Sequence, residues 1–166
     1  MGSEVDAVVR TAMPAELDVL ADLWHTGWQD AHAAILPPEL ARWRTRESFR
    51  ARLADALAQV RVVGPIGAPG GFCVIHDDEL HQLFVARDAR GGGVAPALVA
   101  DAEARLAERG VDVAWLACAI GNERAARFYE KCGWNRVGTM VTRLEIPPGP
   151  FDLEVWRYEK RLAPAA

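Results

Sequence analysis

The sequence lacks the long apolar run, the basic run and the regular cysteine spacing that mark several classes of protein. No segment approaches the roughly 20 apolar residues that a membrane-spanning helix needs. Residues 1–6 do not have the charged-then-apolar order of a signal segment. We therefore expect a cytoplasmic protein without a membrane partner. A formal net charge of −4 without a basic run also disfavours a nucleic-acid partner.

Cysteine is scarce, with three residues at Cys73, Cys118 and Cys132. Their number is odd, they lie in apolar segments, and no spacing typical of a zinc site is present. We expect reduced, buried thiols and no metal cofactor. His25 and His32 lie seven residues apart without a partner pair, a pattern that is not typical of metal ligands.

The 166 residues suffice for one domain with a sizeable core, and no low-complexity linker divides them. We therefore predict a single domain over residues 1–166. Apolar periodicity predicts an initial strand, two amphipathic helices and then a meander of three short strands. These elements are expected at 5–10, at 14–24 and 47–58, and at 60–63, 71–75 and 79–86.

The centre of the chain follows the order strand, helix, strand. Val94, Leu98, Ala102 and Leu106 recur at four-residue spacing and predict a helix that ends at Gly110. The strands on either side of it, 79–86 and 111–118, should be parallel and joined by a right-handed crossover. A short helix capped by Asn122 and two strands complete the pattern, the strands at 134–142 and 151–160.

Gly91, Gly92 and Gly93 lie where the third meander strand leads into the central helix. Free N–H groups and the positive end of the helix dipole suit an anion there, and glycine lets a phosphate approach the backbone. Arg90 supplies a matching charge. A plain tight turn is the alternative interpretation.

Two familiar phosphate loops do not fit this segment. A nucleoside-triphosphate loop needs Gly-Lys-Ser/Thr at the helix start, where this chain has Gly93, Val94 and Ala95. The dinucleotide fingerprint G-x-G-x-x-G is interrupted at Pro96. The loop therefore belongs to another class.

Two segments together resemble the GCN5-related N-acetyltransferase (GNAT) family. Residues 90–95, Arg-Gly-Gly-Gly-Val-Ala, match its acetyl-CoA signature R/Q-x-x-G-x-G/A. Residues 122–134 match its N-x-x-A-x-x-F-Y-x-x-x-G-F/W pattern. The order of helices and strands agrees over nearly the whole chain. Pro96 is a departure, because it offers no N–H to a phosphate, although proline is tolerated in a first helical turn.

The resemblance implies an α/β (α+β) fold with a mixed, mostly antiparallel central sheet, helices on both faces and a central βαβ unit. It implies direct transfer of an acetyl group from acetyl-CoA to a primary amine of a small molecule, peptide or protein. A strand segment would pair with the pantetheine arm, and the glycine loop would hold the pyrophosphate. The implied cofactor-binding residues are Leu83, Phe84, Val85, Arg90, Gly91, Gly92, Gly93, Val94, Ala95, Asn122 and Tyr129.

Catalytic residues follow from the same resemblance. Tyr129 resembles the family tyrosine that protonates the coenzyme A thiolate, and a core aromatic residue is the alternative. Glu79 and His81 lie two residues apart on one strand, so their side chains should share a face. Glu79 matches the catalytic glutamate of some members, whereas an imidazole ordinarily titrates closest to neutral pH, near about 6.5. Glu79, His81 and a water chain all remain open as the base.

The acceptor site is the least defined. Trp28 and Asp30 could hold an ammonium group with a ring face and a carboxylate, and packing for Trp28 and solvation for Asp30 is the alternative. Nothing selects among a small amine, an amino acid, an antibiotic and a peptide or protein terminus. A catalytically silent acyl-CoA-binding module, a different acyl-CoA donor and a homodimer formed through the final strands also remain open.

Overall fold

The computed structural model describes residues 8–164 and contains one seven-stranded sheet of order β1-β2-β3-β4-β5-β7-β6. The strands are β1 (Val9–Thr11), β2 (Val60–Val63), β3 (Gly71–His76), β4 (Glu79–Val85), β5 (Val113–Ala119), β6 (Asn135–Ile146) and β7 (Gly149–Arg161). The α-helices are α1 (Leu17–His32), α2 (Pro38–Trp43), α3 (Arg46–Asp55), α4 (Val94–Glu108) and α5 (Glu123–Lys131). The predicted first strand begins at Val9, and its residues 5–7 lie outside the described part of the chain.

The pairing confirms the mixed, mostly antiparallel sheet. β4 and β5 pair in parallel through the crossover helix α4, and the other neighbouring strands pair antiparallel. Alternate residues of a strand point to opposite faces. On β3, Cys73 accordingly packs with α4, whereas Phe72 and Val74 pack with α1 and α3. The helices therefore cover both faces of the sheet, as predicted.

Helix α1 buries the stripe that its sequence spacing predicts, with Leu20, Ala21 and Trp24 at most 3% exposed. The Trp24 ring stacks on Phe49 of α3, with ring centroids 4.5 Å apart. Fully burying a side chain of this size contributes on the order of 2–3 kcal/mol to folding. This cluster fixes α1 on one face of the sheet.

Gly27 brings α1 unusually close to β4. A Cβ atom at this position would lie 2.6 Å from Cδ1 of the Phe84 ring, which is shorter than a van der Waals contact. Glycine in a helix interior costs about 0.5–1 kcal/mol relative to alanine. The close approach explains its presence, because the C-terminal half of α1 can lie directly over the Phe84 ring.

One part of the fold differs from the prediction, and another was not predicted. Pro38 starts α2 at its first turn, where a proline is favoured, although Pro37 and Pro38 suggested an interruption of the chain. The sequence analysis made no prediction of strand order at the end of the sheet, where β7 lies between β5 and β6 and β6 forms the outer edge. This edge strand exposes Val137 and Val141, and the pairing of subunits through the final strands stays a prediction.

The β6–β7 hairpin extends well beyond the end of β5. Its distal part packs against the cluster that contains α1, rather than against α4. The residues that make these contacts are Leu144, Ile146, Phe151 and Leu153. None of the helices between residues 8 and 164 is both long enough and apolar enough to span a membrane.

Candidate active site

The parallel strands β4 and β5 pair at one position only, Glu79 with Trp115. The Trp115 indole Nε1–H stabilises this pairing by donating a hydrogen bond to Oδ1 of Asp78 at 2.9 Å. An irregularity in the β3–β4 register follows, since Val74 pairs with Gln82 and Ile75 with Leu80, which leaves His81 as the extra residue. A bulge of this kind bends its strand. Beyond this bulge, β4 and β5 diverge.

A cavity of about 310 Å³ occupies the gap between the diverging strands. β4 and β5 form two of its walls, α1 contributes residues from one face of the sheet, and α5 contributes residues from the other. The cavity therefore passes through the sheet. Its lining includes Gly27, Ala31, His32, Leu80, His81, Gln82, Leu83, Phe84, Val85, Arg90, Ala95, Ala117, Cys118, Ala119, Asn122, Arg124, Ala125, Phe128 and Tyr129.

The glycine loop adjoins this cavity through Arg90 and Ala95, whereas its three glycines and Val94 are not part of the lining. The first intrahelical bond of α4 runs from the Ala97 N–H to the Gly93 carbonyl at 3.2 Å. The N–H groups of Val94 and Ala95 consequently have no partner within the helix, and Pro96 adds no donor. Gly91 and Gly93 have φ values of 80° and 85°, which L side chains rarely adopt. This geometry is compatible with the predicted anion site, which stays a prediction.

Two arginine side chains line the cavity near the glycine loop. Arg90 and Arg124 both line the cavity. Burial lowers the pKa of Arg90, and the nearby charges of Arg124 and Arg87 lower it further. Arg87 is paired with Asp30, whose carboxylate lies 2.8 Å away. A bound anion would relieve the repulsion between these cations.

Tyr129 lies on the α5 side of the cavity, and three aromatic neighbours position its ring. The ring centroids of Phe128, Tyr158 and Trp134 lie 5.4, 6.3 and 6.5 Å from that of Tyr129. Burial raises the pKa of its phenol, so the hydroxyl keeps its proton at neutral pH. In the same cavity, burial raises the pKa of the Cys118 thiol to about 11.

Glu79 and His81 contact each other, as their spacing predicts. The Glu79 Oε1 atom lies 3.1 Å from Nδ1 of His81. Only His81 of the two lines the cavity, while the Glu79 side chain is 12% exposed behind it. The His76 ring lies 6.0 Å from that of His81, outside the cavity lining. A carboxylate that holds Nδ1 leaves Nε2 available for a proton or a ligand.

Trp28 and Asp30 do not lie together in the cavity. Trp28 is 6% exposed and packs in the core beside α3, and Asp30 forms the ion pair with Arg87. Their binding of an acceptor stays a prediction. Asn122 does line the cavity, and its Oδ1 also accepts the Ala125 N–H at 3.3 Å to cap α5, which leaves its Nδ2 hydrogens for a ligand.

Comparison with known proteins decides the family. The acetyltransferase (GNAT) family matches residues 17–134. The chain belongs to this family. An uncharacterised N-acetyltransferase of Mycobacterium tuberculosis (strain H37Rv) is 30% identical over 120 residues, which are 67% of this chain and 77% of that protein.

Solved structures show the same fold. A GCN5-related N-acetyltransferase of Rhodopseudomonas palustris superposes with a TM-score of 0.75 at 20% identity, over 98% of this chain and 99% of the other. YncA of Salmonella typhimurium, solved with its cofactor acetyl-CoA, gives 0.68 at 16% identity, over 96% of this chain and 95% of the other. The GNAT resemblance of the two sequence motifs is thereby confirmed, and the chain is an N-acetyltransferase by family.

Arg124, Cys118 and His32 line the cavity, although the sequence analysis did not predict them as site residues. His32 was weighed there as a metal ligand. It lines the cavity at the end of α1, and its Nδ1 atom is buried without a hydrogen-bond partner among residues 8–164. Burial lowers its pKa to about 4. The sequence signal for the position of His32 was its four-residue spacing from Trp28, which places both residues on the same face of α1. Among residues 8–164, no three His, Cys, Asp or Glu side chains are placed to hold a metal ion.

We predict that the GNAT domain loses stability in mild acid through His32. The folded-state pKa of about 4 lies below the ordinary 6.5, so folding favours the neutral ring, and this stabilisation is lost as the pH falls from about 6.5 towards 4. Between pH 6.5 and 5 the loss should be about 1–2 kcal/mol. Urea unfolding should show a smaller loss for His32→Asn, which does not titrate.

Exposed His76→Asn is the matched control for removing an imidazole and should retain the acid sensitivity of the wild type. Glu16 does not interfere, because its hydrogen bond to Arg10 lowers the carboxyl pKa to about 2 and its contribution changes below about 4.5. Equal acid sensitivity of His32→Asn and the wild type would contradict the prediction.

Proposed function

We propose that residues 1–166 form one acetyltransferase domain that transfers an acetyl group from acetyl-CoA directly to a primary amine of a small molecule, peptide or protein. The observation that carries this proposal is the divergence of β4 and β5 after their single paired position. It opens a cavity that reaches from the glycine loop to Tyr129 and through to α1. Family membership supports the reaction class, and the residues of this cavity support the assignment of roles.

The donor-binding residues fit coenzyme A by their chemistry. Leu83, Phe84 and Val85 pair with β3 on one side and face the cavity on the other, where backbone groups can pair with the amides of a pantetheine arm. The unpaired amides of Val94 and Ala95 offer donors to phosphate oxygens. Arg90 and Arg124 add charge, which is the stronger kind of phosphate contact.

Acetyl-CoA supplies the activated acetyl thioester, and the protein supplies hydrogen bonds and a proton. An N–H of the Phe84–Val85 segment polarises the thioester oxygen. Tyr129 donates its phenolic proton to the departing sulfur. The raised pKa of Cys118, about 11, indicates how strongly this cavity disfavours a thiolate. Because a free thiolate is unfavourable there, we expect the phenolic proton to be transferred as the C–S bond breaks.

The same property of Cys118 favours direct transfer over an acetyl-enzyme. A cysteine nucleophile reacts as the thiolate, and burial keeps this thiol protonated at neutral pH. No charged partner acts to lower its pKa strongly enough to offset burial, since the largest cause of the shift is desolvation. The acceptor amine is therefore the group that attacks the thioester.

His81 is the proposed base, and Glu79 holds it. The Oε1–Nδ1 contact of 3.1 Å places the Nδ1 proton on the carboxylate side, which leaves Nε2 to take a proton from the amine. This arrangement gives the two residues one shared function. A catalytically silent acyl-CoA-binding module gains no support from the site, because such a module needs neither this pair nor a cavity-facing phenol.

Gly93→Asp should weaken acetyl-CoA binding, because it adds a negative charge where the pyrophosphate is proposed to lie. Gly93→Asn is the matched control. Aspartate and asparagine have the same shape and both tolerate a positive φ, but only aspartate adds a negative charge beside the pyrophosphate. Calorimetry should give a Kd for the Asp variant at least about tenfold above that of the Asn variant. Equal Kd values would contradict the phosphate role, and absence of binding by the wild type would refute the donor assignment.

Tyr129→Phe should lower kcat by about 100-fold while the Kd for acetyl-CoA stays within about threefold, because the ring remains and only the proton donor is lost. Release of coenzyme A with an amine panel measures the first value, and calorimetry the second. Cys118→Ala is the control within the same cavity and should retain turnover. An acetylated Cys118 in the mass spectrum, or normal kcat in Tyr129→Phe, would contradict the proposed chemistry.

His81→Ala should lower kcat/KM by about 100-fold or more, and the double variant with Glu79→Gln should be no slower than His81→Ala alone. Residues that act as a unit show this non-additivity. Neighbouring His76→Ala should leave the rate unchanged. A double variant markedly slower than His81→Ala would assign Glu79 a separate role, and normal rates in both would favour a water chain.

A further inference from the structure

Asp30 is a carboxylate at the end of a helix that disfavours one. It lies in the last turn of α1, two residues before the helix ends at His32. The carboxyl end of a helix carries partial negative charge, which repels a carboxylate. The Oδ2 atom of Asp30 lies 2.8 Å from Nη2 of Arg87. This ion pair offsets the unfavourable charge and links the end of α1 to the turn that follows β4.

Arg87 belongs to the same turn as Arg90 of the glycine loop. Arg87–Ala89 form a single 3-10 turn, and the Arg90 N–H donates to the Arg87 carbonyl at 3.4 Å. Arg90 lines the cavity, and Arg87 lies just outside the lining. The Arg87 side chain is 72% exposed, so little packing restrains it. Such a side chain can exchange one anionic partner for another.

Arg90 lies among charges of both signs. Burial has the largest effect on its pKa and lowers it, and the charges of Arg124 and Arg87 lower the pKa further. The charge of Asp30 acts in the opposite direction and raises the pKa. No aspartate or glutamate is part of the cavity lining itself. In the free protein, Asp30 therefore supplies negative charge that a phosphate would otherwise bring to these arginines.

A phosphate would compete with Asp30 for the same guanidinium groups. An exposed ion pair is weak, because water screens the charges and both side chains lose freedom. Hydrogen bonds from a guanidinium to a phosphate are stronger and are often bidentate. Once a phosphate is bound near Arg90, the Asp30 carboxylate faces a like charge and opposes its binding.

We propose that Asp30 is an internal competitor of the phosphates of coenzyme A, which holds Arg87 in the free protein and yields it to the bound donor. The inference rests on the proposed function, since it requires the pyrophosphate at the glycine loop. Acetyl-CoA and coenzyme A bear the same phosphates, so Asp30 opposes the binding of both. Its carboxylate pairs with Arg87 again as coenzyme A departs and thereby speeds the release of this product. Asp30 then acts on the donor, and not on the ammonium group of an acceptor as the sequence suggested.

The experiment compares the wild type with Asp30→Asn, which keeps the shape of the side chain and removes its charge. Each protein is titrated by calorimetry with acetyl-CoA and with coenzyme A. Asp30→Asn should bind both ligands about three- to tenfold more tightly in a buffer of low ionic strength, because a like charge is removed. The gain should fall below about twofold in about 1 M NaCl, where the Debye length is about 3 Å. Stopped-flow displacement should show slower dissociation of coenzyme A from Asp30→Asn.

Asp22→Asn is the matched control. Asp22 is another α1 carboxylate that pairs with an arginine, Arg46, and it lies outside the cavity lining. Its replacement changes the net charge by the same amount and should leave both Kd values within about twofold of the wild type, since exposed charges more than about 10 Å apart are largely screened at about 0.1 M salt. An equal gain in Asp22→Asn would assign the effect to net charge and overturn the role of Asp30.

Arg87→Gln tests the other partner of the exchange. It should weaken acetyl-CoA binding by about tenfold, because it removes a charge-assisted phosphate contact. Wild-type affinity in this variant would show that Arg87 does not bind the donor, which overturns the exchange. Melting each variant without ligand verifies that it is folded.

The results also separate this inference from the function on which it rests. A wild type that binds acetyl-CoA, with an Asp30→Asn variant that binds it equally or more weakly, overturns the competitor role and leaves the donor site standing. An unchanged dissociation rate of coenzyme A would overturn the role in product release. A wild type that does not bind acetyl-CoA refutes the proposed function itself, and the role of Asp30 falls with it.

Discussion

The divergence of β4 from β5 is the constraint on which the rest of the site depends. Two parallel strands of seven residues each share one paired position, Glu79 with Trp115, and then separate. A fully paired sheet would close the cavity and satisfy every backbone group along both strands. The bulge at His81 and the Trp115–Asp78 hydrogen bond mark where pairing ends. The cavity, the free edge of β4 and the access from both faces all result from this separation.

Burial in that gap sets the protonation states that acyl transfer requires. Low polarity disfavours the charged form of each group, so it raises the pKa of the Tyr129 phenol and the Cys118 thiol and lowers that of the His32 imidazole. All three groups are therefore neutral near pH 7. A neutral phenol can donate, a neutral thiol does not compete as a nucleophile, and a neutral imidazole can accept. One physical cause, burial, thus accounts for all three neutral groups, including the phenol that the proposed function uses as proton donor.

Local sequence signals predicted the elements that local interactions determine. The glycine loop and α5 could be located because positive φ values, helix caps and apolar stripes each leave a mark within a few residues. α2 was missed, since Pro38 is compatible with both an interruption and a first helical turn. The place of β7 between β5 and β6 could not be read from the sequence, because pairing between distant strands depends on the whole sheet.

The contrast between local signals and long-range packing also applies to the site. The GNAT motifs predict donor residues because a phosphate loop is defined by its backbone geometry, which the glycine spacing indicates. Their binding of acetyl-CoA stays a prediction. Trp28 and His32 lie four residues apart on α1, and the spacing alone could not tell which of them faces the core and which faces the cavity. That difference arises from the gap in the sheet beneath the helix, and from Gly27, which sets the depth at which α1 lies on Phe84.

Several energetically unfavourable features of this fold lie around the gap between β4 and β5. Gly91 and Gly93 hold positive φ values there, His32 Nδ1 has no partner, Arg90 and Arg124 repel each other, and β4 leaves an edge unpaired. Elsewhere in the sheet, β6 and β7 pair over nearly their full lengths. Unfavourable features that concentrate at one cavity are each relieved by a ligand of matching chemistry. In the proposed function, the phosphates of acetyl-CoA offset the arginine repulsion and the amides of its pantetheine arm pair with the free edge of β4, so one ligand relieves two of these unfavourable features.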